Sequence, residues 1–477
     1  MEWLIIIGLV IFFAFQAIRS NNPGKVSKTK IALARQGIGA RRSNQRLIAL
    51  EKPDIAPTAE MKKAINLLEN TKSNVFLTGK AGTGKSTFLK YFRATTKKNV
   101  VVIAPTGVAA LNVQGQTIHS FFHFGIDITP DTVRRRYGDQ ARIYKNIDMI
   151  IIDEISMVRA DLFDCIDRFM RLNGRDSNLP FGGAQIFVIG DLFQLPPIVK
   201  GEEERRIFRT LYRSPFFFDS EVYQKANFKI IELTQTYRQT DRKFIDALDA
   251  VRVADFTSEH LNIFNARFLP EYERSENEFI ISLVTKNDIA QSINISELAK
   301  LSAEPRTYYG RIEGDFREKD LPTDLKLGIK EGTQVMLLRN DPNGKWVNGD
   351  LAKVIRTDDL SVRVLFEDGS FADVGPQIWE AVRFTLNDET NRIQAEIVGT
   401  FTQIPVKLAW AVTIHKGQGK TFDRVHIEMG NGAFEAGQTY VALSRCRTLE
   451  GTILSSPIEP QHIFAHDRVK EFTGNLE

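Results

Sequence analysis

Residues 74–92 read NVFLTGKAGTGKSTFLKYF, and this stretch decides the fold. Val75-Phe76-Leu77-Thr78 has the composition of a short buried strand, and Ser86 onward reads as a helix. Between them Gly79-Lys80-Ala81-Gly82-Thr83-Gly84-Lys85-Ser86 fits G-x-x-x-x-G-K-[ST] in the strand–loop–helix setting that the pattern requires. The glycines let backbone N–H groups curl round a phosphate at the positive end of a helix. Gly79, Gly82, Thr83, Gly84, Lys85, Ser86 and Thr87 are therefore expected to bind a nucleoside triphosphate. Lys85 would reach the β- and γ-phosphates, and Ser86 would ligate Mg²⁺.

Three further apolar runs repeat the strand signal. VVVIAPT (100–106) ends in Pro-Thr, MIIIDEIS (149–156) closes on Asp153-Glu154, and QIFVIGDLFQLPP (185–197) runs through Gly190-Asp191 to Gln194. Each delivers polar residues at its carboxyl end, where open α/β sheets bind ligands. An acid after an apolar run is common and means little alone. Beside a phosphate loop it acquires a use: Asp153 would hold Mg²⁺ through water, and Glu154 would polarise the attacking water. Gln194 would contact the γ-phosphate or that water. In the charged helix 161–172, Phe163, Ile166, Phe169 and Met170 have helical spacing and are expected to face the core.

At 477 residues the chain has room for about three domains at roughly 100–200 residues each. A 43% apolar, 26% charged composition excludes collagen, coiled coil and wholesale disorder. The two cysteines, Cys165 and Cys446, exclude a disulfide scaffold and a Cys-rich zinc site. The net charge of +4 is unevenly spread: residues 19–52 hold nine basic residues against one acid, Glu51. The rest of the chain is slightly acidic, so any nucleic acid must meet a local groove rather than bulk charge.

Residues 1–18 carry the apolar core LIIIGLVIFFAF (4–15). A helix over Trp3–Ile18 spans about 24 Å, short of a hydrocarbon core of roughly 30 Å. Glu2 precedes the run and no small-residue cleavage site follows, which argues against a secretory signal. Two readings stay open: a short uncleaved single-pass anchor holding a cytoplasmic body, or a start codon placed too far upstream. Residues 19–53 read as a flexible basic linker able to lie on anionic membrane or on nucleic acid through residues 1–52.

The segments APTGVAA (104–110), QTIHSFF (116–122), DEISMV (153–158), PFGG (180–183), GDLFQLPP (190–197), LTQTYRQ (233–239), TIHKGQGKTF (413–422) and YVALSRCR (440–447) occur in that order. Together they resemble the motif series of the Pif-type superfamily 1 DNA helicases, relatives of RecD and Dda, over roughly residues 54–456. The resemblance implies an α/β fold of two RecA-like P-loop NTPase domains, 54–235 and 236–477, with ATP in the cleft and single-stranded DNA across their tops. In the second, EFIISLVT (278–285), VKLAWAVTIH (406–415), VHIEM (425–429) and GTILSS (451–456) read as sheet strands. Between them, about 335–400 is rich in short alternating runs and turns, expected as a small β-barrel insertion.

By the same resemblance Arg238 and Arg445 would grip the γ-phosphate from across the cleft, and Gly419 would face the nucleotide where a side chain would collide. Thr106, Thr117, His119, Phe121, Thr413, His415 and Lys416 fall in the family's DNA-facing segments; Phe121 is there read either as a stacking face or as core. Two positions depart from the pattern: Met61 stands where the family commonly carries an adenine-reading Gln, and Gly417 where Ser is frequent. The implied activity is that of an ATP- and Mg²⁺-dependent 5′-to-3′ helicase acting on single-stranded and on tailed or forked duplex DNA in repair, recombination or replication. The alternative is a membrane-tethered DNA-stimulated ATPase or protein-stripping translocase that does not unwind duplex.

Overall fold

The apolar runs pair with one another in parallel. In the computed structural model β1 (Asn74–Gly79), β2 (Val100–Ala104), β3 (Gln116–Thr117), β4 (Met149–Ile152), β5 (Gln185–Ile189) and β6 (Phe228–Leu233) form one sheet in the order β3-β2-β4-β5-β1-β6. Every adjacent pair is parallel. β4 and β5 are buried at every position, as strands covered on both faces must be, whereas the edge strand β6 is largely open. Helix Ala160–Asn173 covers one face with Phe163, Ile166, Phe169 and Met170, all buried as their spacing predicts. The structure describes residues 47–474 apart from Ala49, Glu51, Lys200, Glu276, Asn277 and Asn431. The apolar segment 1–18 and most of the basic linker lie outside the described residues. Among the described residues no helix is long and apolar enough to cross a membrane.

A second parallel sheet starts with β7 (Ile281–Val284), and its remaining strands come only after a long β-rich excursion. That excursion contains β8 (Arg306–Tyr309), β9 (Arg311–Gly314), β10 (Lys326–Ile329), β11 (Gln334–Leu337), β12 (Leu351–Thr357), β13 (Val362–Leu365), β14 (Phe371–Val374), β15 (Gln377–Asn387), β16 (Arg392–Gln403) and β17 (Val406–Leu408). The chain then returns with β18 (Ala411–Thr413), β19 (Val425–Glu428) and β20 (Thr452–Leu454), giving the order β18-β7-β19-β20. Helix Arg242–Val253 packs Phe244, Leu248 and Val251 into this second core beside Leu283, Ile414 and Val441. Ala81 of the phosphate loop belongs to the same core, so the two halves meet at the loop itself.

The excursion corrects two expectations. It begins at Arg306 rather than near 335, and its strands do not close into a barrel. An open antiparallel sheet, β14-β13-β12-β11-β17, is covered by the separate ribbon β10-β8 around Tyr308, Leu327, Ile329, Val335, Val354, Val364 and Val406. The long hairpin β15–β16, with β9, forms a third sheet that leans on the first core instead. There the Phe384 backbone N–H donates to Gln116 Oε1 (3.0 Å), and Leu386, Ile393 and Ala395 pack against the first core. Alternation in sequence reveals two faces per strand but not which body each face meets. For the same reason 406–415 is two strands: β17 pairs with β11, β18 with β7.

The last helix, Asp467–Gly474, falls within the span expected for the second half but packs on the first. Phe472 stacks on Phe218 at 4.3 Å, Val469 enters the first core, and Arg468 pairs with the buried Asp219. One aromatic and one ion pair on a short helix give no sequence signal for their partners.

Candidate nucleotide site and nucleic-acid face

β1 ends at Gly79, and the loop turns through positive φ at Gly82 (82°) and Gly84 (84°) before helix Lys85–Thr95 begins. Glycine is required at Gly82 twice over: by its φ, and because a Cβ there would lie 2.6 Å from Arg238 Cβ. Lys85 Nζ donates to the carbonyls of Gly79 (2.6 Å) and Lys80 (2.9 Å), and Thr83 Oγ1 donates to Lys80 O (3.0 Å). Ser86 and Thr87 sit exposed in the first helical turn. Desolvation pushes the Lys85 ammonium below its ordinary pKa, while Asp191, Glu154 and Asp153 pull it back.

The carboxyl ends of β4 and β5 deliver three of the expected groups beside it. Burial raises the carboxyls of Asp153 and Glu154 above their ordinary range, each is opposed by Lys85, and Asp153 further raises Glu154. Glu154 holds a left-handed backbone (φ 51°), uncommon for a non-glycine residue. Gln194 Nε2 donates to Asp191 Oδ2 (3.1 Å). Gln418, one residue before Gly419, donates from Nε2 to both Glu154 Oε2 (3.2 Å) and Gln194 Oε1 (3.1 Å). Thus the second half reaches the two groups expected to handle water.

Asp153 and Ser86 offer hard oxygen donors, which suit Mg²⁺, an ion that takes one or two protein ligands plus phosphate and water. Among the described residues no group of three or more His, Cys, Asp or Glu could hold a metal alone. The donor set therefore fits an ion that arrives with a nucleotide.

Across the cleft Arg445 is 1% exposed, yet its three hydrogen bonds go to neutral acceptors: Val441 O (2.8 Å), Lys420 O (3.2 Å) and Ser444 Oγ (2.8 Å). Burial, and then the charge of Arg238, press its guanidinium down to about 9. Arg238 donates to the Ser444 carbonyl (3.1 Å), and burial lowers it too. Two desolvated cations, hydrogen-bonded only to neutral oxygens, invite an anion between them. Tyr237, 57% exposed, donates its backbone N–H to Gly82 O (2.9 Å), and its ring lies 3.6 Å from where a Cβ on Gly84 would be. Met61 Cε lies equally close to that point, with the rest of its side chain in the first core. At Gly419 no protein atom lies within 4 Å of where a Cβ would be, so its left-handed φ (77°) is what demands glycine within the protein.

The three threonines expected to face DNA share one local role. Thr117 and Thr413 end β3 and β18, Thr106 follows β2 by two residues, and each caps the short helix that comes next, accepting the backbone N–H of Ala109 (Thr106, 3.2 Å), Ser120 (Thr117, 3.1 Å) and Lys416 (Thr413, 3.3 Å). The same strand–Thr–helix device therefore appears in both halves. His119 is held below its ordinary pKa by burial and by Lys319, Arg159 and Arg317. His415 Nε2 lies 3.2 Å from Glu435 Oε2, and Lys416 is exposed. Phe121 is core: 4% exposed, its ring meets Phe122 (4.9 Å), Tyr144 (5.6 Å) and Phe384 (6.0 Å) edge-on, leaving no face for a base.

Sequence reasoning assigned no role of its own to Gln418, Asp191, Tyr237 or Tyr440, although all four stand inside quoted motif segments. It also missed Arg252, which stands in none. A family model described as PIF1-like helicase matches residues 58–272. The chain is 30% identical to the ATP-dependent DNA helicase Pif1 of Bdellovibrio bacteriovorus, over 96% of this chain and 99% of that one. The unliganded Pif1 of a Bacteroides species superposes with a TM-score of 0.81 at 39% identity, covering 88% of this chain and 97% of that one. The Bacteroides Pif1 bound to single-stranded DNA superposes at 0.63, with 38% identity and the same coverage.

Proposed function

The chain belongs to the PIF1-like helicase family, and we propose that it is an ATP-dependent DNA helicase that travels 5′ to 3′ on single-stranded DNA and opens tailed or forked duplexes. The observation that carries the hydrolytic part is the convergence of Arg238, Arg445 and Gln418 from beyond residue 235 on the phosphate loop and Glu154. A single RecA-like half would expose that loop; here its ligand site is complete only with both halves.

The roles follow from chemistry. The loop amides of 79–86 and Lys85 bind the phosphates, and Lys85 exchanges its two carbonyl contacts for phosphate oxygens. Ser86 and Asp153 would hold Mg²⁺, which when bound neutralises charge on the β- and γ-phosphates. Glu154 accepts the proton of the attacking water, and Gln418, itself held by Gln194, fixes its carboxylate. Arg238 and Arg445 meet the charge that spreads over the γ-phosphoryl oxygens, and their planar donors suit it. Tyr237 and Met61 provide an apolar seat for the base in place of a hydrogen-bonding Gln, which grips the base by contact area rather than by reading its edge.

For the nucleic acid, the Thr106, Thr117 and Thr413 helix starts, His119, His415 and Lys416 provide backbone-directed contacts that tolerate any sequence. The Bacteroides relative with bound single-stranded DNA supports that ligand; the direction of travel rests on the motif resemblance. The test is the ATPase rate of the full chain with and without single-stranded DNA, with Lys85→Ala as blank, followed by unwinding of duplexes with 5′ or 3′ tails. Stimulation of about tenfold or more and unwinding only from a 5′ tail are expected. Hydrolysis indifferent to DNA sinks the reading.

A further inference from the structure

Asp191, two residues beyond β5, has a fully buried side chain whose carboxylate gathers three separate parts of the chain. On its own loop, Oδ1 accepts the Phe193 backbone N–H (3.2 Å) and Oδ2 accepts Gln194 Nε2 (3.1 Å). From helix Arg242–Val253, Arg252 donates from Nη2 to Oδ1 at 2.9 Å and from Nε to both oxygens at 3.2 and 3.4 Å. Its guanidinium also lies over the Phe193 ring, 4.6 Å from the centroid. From helix Gln438–Leu443, the Tyr440 hydroxyl reaches Oδ2 at 3.5 Å while accepting the Ala81 N–H of the phosphate loop at 2.9 Å. One turn before Arg252, Asp249 pairs with Lys80 of the same loop.

We propose that Arg252 is a positioning residue for hydrolysis: from the second half of the molecule it clamps Asp191, and through Asp191 it sets the rotamer of Gln194 and the seat of the phosphate loop. This rests on Gln194 being a nucleotide-facing group, as read above. The physical case is one of acceptors. Gln194 has one amide hydrogen bonded to Asp191 and its carbonyl bonded to Gln418 Nε2, so both ends of the amide are held only while Asp191 stays in place. Without Arg252 the buried carboxylate loses its only ion-pair partner among the described residues, and it must rotate or take up a proton. Either change turns a preset amide into a mobile one. A buried pair that merely glued the halves together would not need an acceptor shared with Gln194. The doubly donated Arg252 contact explains why Arg, with its planar fork, stands here rather than Lys.

The experiment separates positioning from glue. Steady-state ATP hydrolysis by the full chain is measured at saturating single-stranded DNA for the wild type, Arg252→Met, Arg252→Lys and the double variant Arg252→Met/Asp191→Leu, with melting temperatures alongside. Arg252→Met should lower kcat about 10- to 100-fold, the scale of a misplaced reacting group, with KM for ATP within about threefold. Arg252→Lys should recover part of kcat. The apolar double variant should regain melting temperature while kcat stays low, because the acceptor for Gln194 is gone; it also carries the test if Arg252→Met does not fold. The proposal is overturned if kcat returns with stability in the double variant, if Arg252→Met leaves kcat within about twofold, or if the loss falls on KM. A wild-type rate indifferent to DNA would instead overturn the helicase reading, and the same variants, compared without DNA, would still decide the role of Arg252.

Discussion

Two kinds of helix start distinguish the proposed nucleotide site from the proposed nucleic-acid face. Helix Lys85–Thr95 begins at Gly84 with no side chain capping it, so its first amides are left for a ligand. The helices after Thr106, Thr117 and Thr413 are capped by the threonine hydroxyl itself, which consumes one amide of each. The first arrangement commits several amides and a lysine to one anion and suits tight, chemically exacting binding. The second presents a partly satisfied helix end, which suits a backbone that must be gripped and released many times.

The largest test of that division is Lys85→Ala. It should lower kcat by about 10³-fold or more while leaving single-stranded DNA affinity within about threefold, measured by ATPase rate and fluorescence anisotropy. If DNA affinity fell in parallel, the two sites would not be separable. Next, Phe121→Ala should cost about 3–5 kcal/mol of stability in denaturant unfolding, since it vacates a ring-lined core position. At a temperature where the variant is folded, its DNA affinity should be unchanged; a selective loss of DNA binding would return Phe121 to the nucleic-acid face. A smaller effect belongs to Thr413→Val, which should cost about 1 kcal/mol through the lost cap. DNA affinity should weaken severalfold, with KM for ATP unmoved.

The smallest expected effect is a pH dependence at Lys407 and Lys420, whose charges oppose each other beside Lys416, one of the residues proposed to meet DNA. Burial, and then Lys420 and Lys416, press the Lys407 ammonium down to about 7, and burial presses Lys420 to about 8. Phosphate favours the protonated amines, so their contribution to single-stranded DNA affinity is expected in full below about pH 7 and is lost as pH rises through about 8. A few-fold decline between about pH 6.5 and 8.5 at fixed ionic strength is expected from anisotropy. Lys407→Met should flatten the lower part of that decline. A flat wild-type profile would remove these amines from the DNA path.

What could be read in the sequence follows from where each constraint acts. Gly82, Gly84, Lys85 and Ser86 were legible because the loop's geometry is local and admits few residue types. Asp153, Glu154 and Gln194 were legible as neighbouring polar groups because they follow apolar strands whose carboxyl ends share one edge of the sheet. Phe121 stayed ambiguous because a Phe-Phe pair has the same sequence whether its faces meet bases or Tyr144 and Phe384. Gln418 was in plain view inside TIHKGQGKTF, yet an amide acquires its role only from the two acceptors it faces.

The amino-acid sequence by itself determined the P-loop, the order of the strands along the chain and the chemical groups available to ATP, since each depends on residues within a few positions of one another. Only the tertiary structure decided that helix Asp467–Gly474 returns to the first core, that hairpin β15–β16 covers Gln116, and that Arg252 meets Asp191. Those contacts join residues 61 or more positions apart, and burial against a particular partner is a property of the packed surface, which no local pattern of residues encodes.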